Sequence, residues 1–266
     1  MVFYKQDVVL RSLAYTVVNN HVCYSFCGIT LDKLIGTDIE INYLNKRYCR
    51  FCSVPMKLLK YDVCFMCRRQ SLFCDLCIVK PTLCHFHKGT CRQPLIASHV
   101  CFSDFSVYLS YTSGCKVGLT RSEGLEKRWI GQGAIYGLPI FTMNNRRDAG
   151  YVESDLLKFV YDKTSVYKML SLSSNETQYD LSIKQIGDIL NDIRSNYQIP
   201  DYARAIDTVE GRRLYYPIHD DVPKKKLALP HVKGKIIGAK GQYLITDAGY
   251  FNVMRHLGCL CCITLG

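Results

Sequence analysis

The sequence predicts an α+β fold, and three observations carry that reading. Runs rich in β-branched and aromatic residues fill both ends of the chain, an apolar stripe of helical spacing runs from Ile183 to Tyr197, and paired cysteines occupy a stretch with neither period. Alternation with period two marks half-buried strands, whereas recurrence every three and four residues marks one helix face.

Residues 1–45 read as short strands: Val8-Val9-Leu10, Tyr15-Thr16-Val17-Val18, Val22-Cys23-Tyr24 and Ile39-Glu40-Ile41-Asn42-Tyr43, with turns at Asn19-Asn20 and Gly36. Residues 231–266 return to the same pattern. Lys235-Ile236-Ile237, Gln242-Tyr243-Leu244-Ile245-Thr246 and Tyr250-Phe251-Asn252-Val253 are punctuated by Gly238, Gly241 and Gly249, which suits tight turns. Neither end has the apolar surface for a core of its own, so the two are expected to pair into one sheet or small barrel.

Residues 46–101 hold a zinc-binding region. Cys49-x2-Cys52-x11-Cys64-x2-Cys67 presents two C-x-x-C turns, each aiming two sulfurs at one ion. Four thiolates at about 2.3 Å close a tetrahedral structural zinc site with no position open for chemistry. A second group follows, with Cys74, Cys77, Cys84 and Cys91 as the expected ligands of a second zinc and His85, His87 or Cys101 as substitutes. One or two structural Zn²⁺ ions would replace a hydrophobic core where Pro55, Pro81 and Pro94 interrupt regular structure. Cys23, Cys27, Cys115, Cys259, Cys261 and Cys262 lack such spacing and are expected to pack as small apolar residues.

Residues 102–200 begin with a hairpin: the strand Ser106–Tyr111, a Thr112-Ser113-Gly114 turn and the strand Lys116–Leu119. Helices are expected from Leu125 to about Gly131, from Val152 to Tyr161, and along Ile183, Ile186, Leu190, Ile193 and Tyr197. Residues 201–230, polar and carrying Lys224-Lys225-Lys226, read as a linker.

No apolar run reaches the ~18 residues that cross a bilayer, and charges at Lys5, Asp7 and Arg11 break up any secretory signal, so no membrane partner is expected. Fifteen cysteines then point to metal and packing in a reducing, cytoplasmic compartment rather than to disulfides. The formal net charge is +11. Between Tyr43 and Val100 ten cations (Lys46, Arg47, Arg50, Lys57, Lys60, Arg68, Arg69, Lys80, Lys88, Arg92) face only Asp62 and Asp75, the electrostatic footprint of a nucleic-acid partner, DNA or RNA.

Val107-Tyr108-Leu109 and Lys116-Val117-Gly118 are placed like the two strand motifs of a GIY-YIG nuclease, with Arg128 ten residues past Gly118 and Glu153 on the next helix. Over residues 105–165 the chain resembles that superfamily. More of it resembles an uncharacterised cysteine-rich family with the signatures CHxxxGTCR, here Cys84–Arg92, and KVGxTR followed by RWxxQGA, here Lys116–Arg121 and Arg128–Ala134. The nuclease resemblance implies a small antiparallel sheet flanked by helices and one Mg²⁺ held on Glu153. It also implies Arg128 on the scissile phosphate and Tyr108 as the activated phenol, in a zinc-containing endonuclease or a nucleic-acid-binding protein that no longer cleaves. Lys116 replaces the second motif tyrosine, and serves as a base only if its pKa falls well below the usual ~10.4, otherwise as a phosphate contact. Arg121, Trp129 and Gln132 join Lys116 and Arg128 as expected nucleic-acid contacts, Trp129 by stacking on a base.

Overall fold

The computed structural model describes residues 4–56, 61–160, 165–207 and 211–266. Its strands up to the hairpin are β1 (Tyr4–Val9), β2 (Ala14–Val18), β3 (His21–Phe26), β4 (Ile29–Thr30), β5 (Asp38–Tyr48), β6 (Pro55–Met56), β7 (Phe105–Tyr111) and β8 (Cys115–Arg121). There follow β9 (Tyr136–Met143), β10 (Arg204–Ala205), β11 (Arg212–Arg213), β12 (Lys226–Leu227), β13 (His231–Lys240), β14 (Tyr243–Thr246), β15 (Gly249–Asn252) and β16 (Cys259–Leu265). Helices are α1 (Phe65–Gln70), α2 (Pro94–Val100), α3 (Leu125–Gln132), α4 (Arg146–Leu156), α5 (Val166–Ser171) and α6 (Glu176–Asn196). None is long and apolar enough to cross a membrane among the described residues. The fold is mixed α+β with several sheets and no closed barrel among those residues.

Two compact units divide the chain, Met1–Cys67 with Tyr215–Gly266 and Arg68–Leu214. In the first, the main sheet runs β1-β16-β5-β13-β14-β15-β12, and β6 pairs with β5. Both chain ends meet there: β5 lies between β16 and β13, antiparallel to each, and β1 adds outside β16. Alternation explains the choice of face. Ile39 and Ile41 on β5 and Cys259, Cys261, Ile263 and Leu265 on β16 point into the core, each fully buried aliphatic side chain contributing about 1.5–3 kcal/mol. β2, β3 and β4 form a separate small sheet, and the β2–β3 connection is Asn19-Asn20 with φ of 50° and 65°, the left-handed pair that a two-residue hairpin needs. The same alternation overturns one packing assignment: Cys23 falls on the outward face of β3 between buried Val22 and Tyr24, and is exposed.

Lys240, at the end of β13, is 0% exposed, with its ammonium 5.1 Å from the centre of the Tyr216 ring. Burial pulls its pKa down to about 7. The folded value lies below the unfolded one of about 10.4, so the folded state carries the full penalty below neutral pH and sheds it as pH rises through that interval. Lys240→Met is therefore expected to raise Tm by several degrees at about pH 6, with the gain vanishing near pH 10.5. An equal gain at both pH values would show that charge burial is not the cause.

The second unit is built on the sheet β10-β9-β7-β8, all antiparallel, with β11 also on β9. The expected hairpin is present as β7 and β8, and α4 and α6 pack against it. Four expectations need correction. Residues 201–230 are not a plain linker, because β10 and β11 complete the edge of this sheet and β12 pairs with β15. Nor is the cysteine-rich stretch one region: Cys49–Cys67 goes with the first unit and residues 68–101 with the second. The helix expected from Val152 starts at Arg146, capped by the Asn145 side chain, which accepts the Asp148 N–H at 2.9 Å; Tyr161, its expected end, lies outside the described residues, as do Lys57 and Lys60. Finally, α6 begins at Glu176, so its buried line is Tyr179, Ser182, Ile186 and Ile193, and Ile183 turns outward. The Tyr179 hydroxyl, which donates to the Leu214 carbonyl at 2.7 Å, fixes that rotation.

Candidate functional site

Two constellations stand out, one in each unit. In the first, the end of β5 turns through Cys49-Arg50-Phe51-Cys52, closed by Ser53 N–H to Cys49 O and Cys49 N–H to Val54 O, with Ser53 at φ 57°. The second turn, Cys64-Phe65-Met66-Cys67, enters α1, and the Cys67 N–H donates to Cys64 Sγ at 3.4 Å. Arg50 joins the two turns, its N–H on the Asp62 carbonyl at 3.0 Å and its guanidinium on the Asp62 carboxylate at 3.1 Å. The four sulfurs lie within 4.8 Å of one another, with Cys52 and Cys64 3.6 Å apart. A tetrahedron with 2.3 Å metal–sulfur bonds has edges of about 3.8 Å, so these residues fit a structural metal such as zinc. Burial pushes the Cys49 thiol up, but N–H groups of Cys64, Cys52 and Phe51 outweigh it and bring it down to about 6. Cys67, donating toward Cys52 and partly desolvated, is pushed up to about 12. A bound divalent cation would favour the ionised form of all four thiols.

In the second unit the antiparallel register sets Tyr108 opposite Gly118 and Ser110 opposite Lys116. Paired residues project to the same side, so Tyr108, Gly118 and Lys116 share one face of the hairpin. Gly118 is required there: a Cβ would lie 2.5 Å from the Tyr108 phenol oxygen. That phenol is 0% exposed and donates to Gln132 Oε1 at 3.1 Å. Burial raises its pKa, against the pull of Arg128 and Gln132, and nearby Glu153 adds to the rise. Gln132 and Arg128, four residues apart, come from one face of α3.

Glu153 arrives from α4, half-buried, on the face formed with Arg146, Ala149 and Gly150 at spacings of three, four and seven. Burial raises its carboxyl; Arg128, the Leu119 N–H and Arg146 pull the other way. Tyr108, Gln132, Arg128 and Glu153 are therefore gathered around Gly118-Leu119. As a hard oxygen donor, Glu153 fits Mg²⁺, which is commonly held by one or two carboxylates and retains its waters.

The surroundings of three expected site residues bear on their roles. Tyr108 is buried, with its O–H donated to the half-buried Gln132, and burial favours its neutral form. Trp129 offers no face to a base: it is 4% exposed, edge-on to Tyr108 at 5.9 Å, and a Cβ on Gly137 would sit 2.3 Å from its ring. Arg121 is exposed and paired with Glu123 at 2.9 Å, so a phosphate would compete with that carboxylate. Arg146 was missed. Its guanidinium binds the Ile78 carbonyl, sits 5.9 Å from the centre of the Phe105 ring and adds positive field at Glu153. The Asn145 cap in front of an arginine pair was the available signal.

Residues 36–260 match the family described as protein of unknown function DUF2797. The chain belongs to the DUF2797 family. No curated protein and no solved structure matches it. Within this DUF2797 chain the match takes in both constellations, from Cys49 through Glu153.

Proposed function

We propose that the 68–214 unit binds a nucleic-acid backbone over the β7–β8 hairpin and cleaves its phosphodiester bond with Mg²⁺, as the likeness to GIY-YIG nucleases implies. One observation supports this above others: an exposed arginine, a half-buried carboxylate and a buried tyrosine bonded to a half-buried glutamine, from three different elements, meet at Gly118-Leu119. Arg128 would hold the phosphate, where a fixed cation offsets the charge that develops on the phosphoryl oxygens. Its guanidinium lies within hydrogen-bonding reach of the Tyr108 hydroxyl. Lys116, on the same face, adds a second phosphate contact. Glu153 would hold Mg²⁺, which polarises a phosphoryl oxygen when bound.

Binding without cleavage is the second reading, favoured because Tyr108 keeps its proton and Lys116 stands in place of the second motif tyrosine. The test is incubation of labelled single-stranded and duplex DNA and RNA with the full chain and Mg²⁺. Cleavage products that disappear in Glu153→Ala support the enzyme; products that persist in that variant reject the site. Binding without products at any Mg²⁺ concentration selects the second reading. In either case affinity should fall steeply with salt, log K changing by about 0.9 per phosphate contacted for each unit of log salt on duplex DNA. A flat salt response would reject nucleic acid as the partner.

A further inference from the structure

We infer that the second unit binds a divalent transition-metal ion such as zinc through Asp75, Cys77 and His85. This goes beyond the proposed activity and does not depend on it. Among the described residues, two groups of potential ligands lie close enough to share an ion: the four cysteines of the first unit, and these three, whose ligand atoms all fall within 4.8 Å of one another. Of the cysteines expected to form a second site, Cys77 alone belongs to such a group; Cys74, Cys84 and Cys91 are in neither. Thiolate, imidazole and carboxylate together are a donor set that zinc accepts.

Two short turns present the donors. Asp75 precedes the single 3-10 turn Leu76–Ile78, and its Oδ1 accepts the Cys77 N–H at 3.3 Å, so one turn fixes both side chains. His85 precedes the turn Phe86–Lys88, which ends at Gly89 with φ 71°. That reversal brings Thr90 back to the imidazole: its hydroxyl donates to the His85 carbonyl at 3.4 Å and lies 2.8 Å from Nδ1. A hydroxyl has one proton to give. With that proton on the carbonyl, the oxygen accepts at Nδ1, so Nδ1 carries the ring hydrogen and Nε2 of the neutral imidazole keeps its lone pair.

That Nε2 faces the Asp75 carboxylate, with Oδ2 3.3 Å away. Two acceptors at this distance need a positive group between them. A proton is one candidate, but charge-assisted hydrogen bonds close to about 2.7–2.9 Å. A metal ion is the other, and bonds of about 2.0–2.1 Å from nitrogen and oxygen set two corners of a tetrahedron about 3.3–3.4 Å apart. The observed separation matches the second. Cys77, 7% exposed, adds the third donor, and a bound cation favours its thiolate. Three protein ligands leave one position for water, reached past His85, whose side chain is 27% exposed. The supports are those usual around metal ligands: Thr90 on the far nitrogen of the imidazole, and Arg92, whose Nε donates to Asp75 Oδ2 at 2.8 Å while its guanidinium also binds the Arg68 carbonyl.

The metal would also brace α4. A Cβ on Gly150 would fall 2.6 Å from Pro81 Cβ, and the Arg146 guanidinium binds the Ile78 carbonyl. Helix α4 therefore rests on the segment between the ligands Cys77 and His85, and an ion joining those ligands would fix that segment.

The experiment is a metal count on the full chain carrying Cys49→Ser with Cys67→Ser, which disables the four-cysteine group and leaves these three donors in place. That variant is expected to take up about one zinc ion, or one cobalt ion whose thiolate-to-metal band has about a quarter of the intensity of a four-sulfur site. Adding His85→Ala should remove the ion. Thr90→Val, which keeps all three ligands, should weaken it about 10–100-fold in competition with a chelator. X-ray absorption on zinc-loaded wild type needs no variant to fold: nitrogen and oxygen should appear among the ligands, with sulfur averaging about 2.5 per ion where both groups are filled. Wild-type zinc bound by sulfur alone overturns the proposal. So does a double cysteine variant that takes up no metal, an ion that survives His85→Ala, or an affinity unchanged in Thr90→Val.

Discussion

Cys49→Ser with Cys67→Ser, or exhaustive chelation of the wild type, is expected to collapse the local order of residues 49–56 and 61–67. Among the described residues of that stretch only Cys49 and Val63 are buried, while Phe51, Val54, Tyr61, Phe65 and Met66 are exposed. Apolar burial therefore cannot hold the two cysteine turns together. Structural zinc contributes an apparent ~10–16 kcal/mol in small four-ligand sites, as much as the whole stability of a typical domain. The main sheet has its own core in Ile39, Ile41, Val232, Ile236, Leu244, Phe251 and Ile263, each at most 1% exposed. Hydrogen exchange should consequently accelerate at 49–56 and 61–67 on chelation while amides of β13, β14 and β16 stay protected. Unchanged exchange at Cys49–Cys67 would remove the metal from the account. Melting of the whole sheet would mean that the metal supports the entire first unit.

Local chemistry was legible in the sequence, and so was the pairing of the two chain ends into one sheet; the pairing of the shortest strands was not. The spacing of Cys49, Cys52, Cys64 and Cys67 anticipates a cluster whose sulfurs do meet, because each C-x-x-C turn is set by neighbouring backbone. The β7–β8 hairpin was visible for the same reason, since its turn lies between its strands. Two-residue strands such as β10 and β11 carry no period of their own; β9 makes them strands, and β9 is sixty residues or more away in sequence. Burial misled in the same way. Trp129 and Tyr108 sit in motifs that suggest contact with a ligand, yet both bury their rings, and what hides Trp129 is a close approach at Gly137 that no local pattern encodes. Arg146 needed the position of residues 76–78, almost seventy residues upstream, to be noticed.

Gly118→Ala is expected to destabilise the second unit and to disable its candidate site together. The new Cβ would lie 2.5 Å from the Tyr108 oxygen and 2.7 Å from the ring carbon that bears it, closer than real side chains approach. Tyr108 has no room to yield, being 0% exposed and braced edge-on by Trp129. Overpacking in a well-filled core costs typically about 1–3 kcal/mol, and about 2–4 °C in Tm per kcal/mol for a chain of this size. Any shift that relieves it must turn the phenol away from Gln132, which also moves a group within reach of Arg128, so the proposed nucleic-acid binding or cleavage should fall further than the loss of folded protein explains. Tyr108→Phe isolates the cause. It removes the nearest atom but leaves the ring, so Gly118→Ala should cost measurably less in the Tyr108→Phe background than in the wild type, a coupling of the size that contacting residues show, about 0.5–3 kcal/mol. Additive losses in that double-mutant cycle would mean that the Gly118–Tyr108 contact is not what holds the hairpin and the arginine in place.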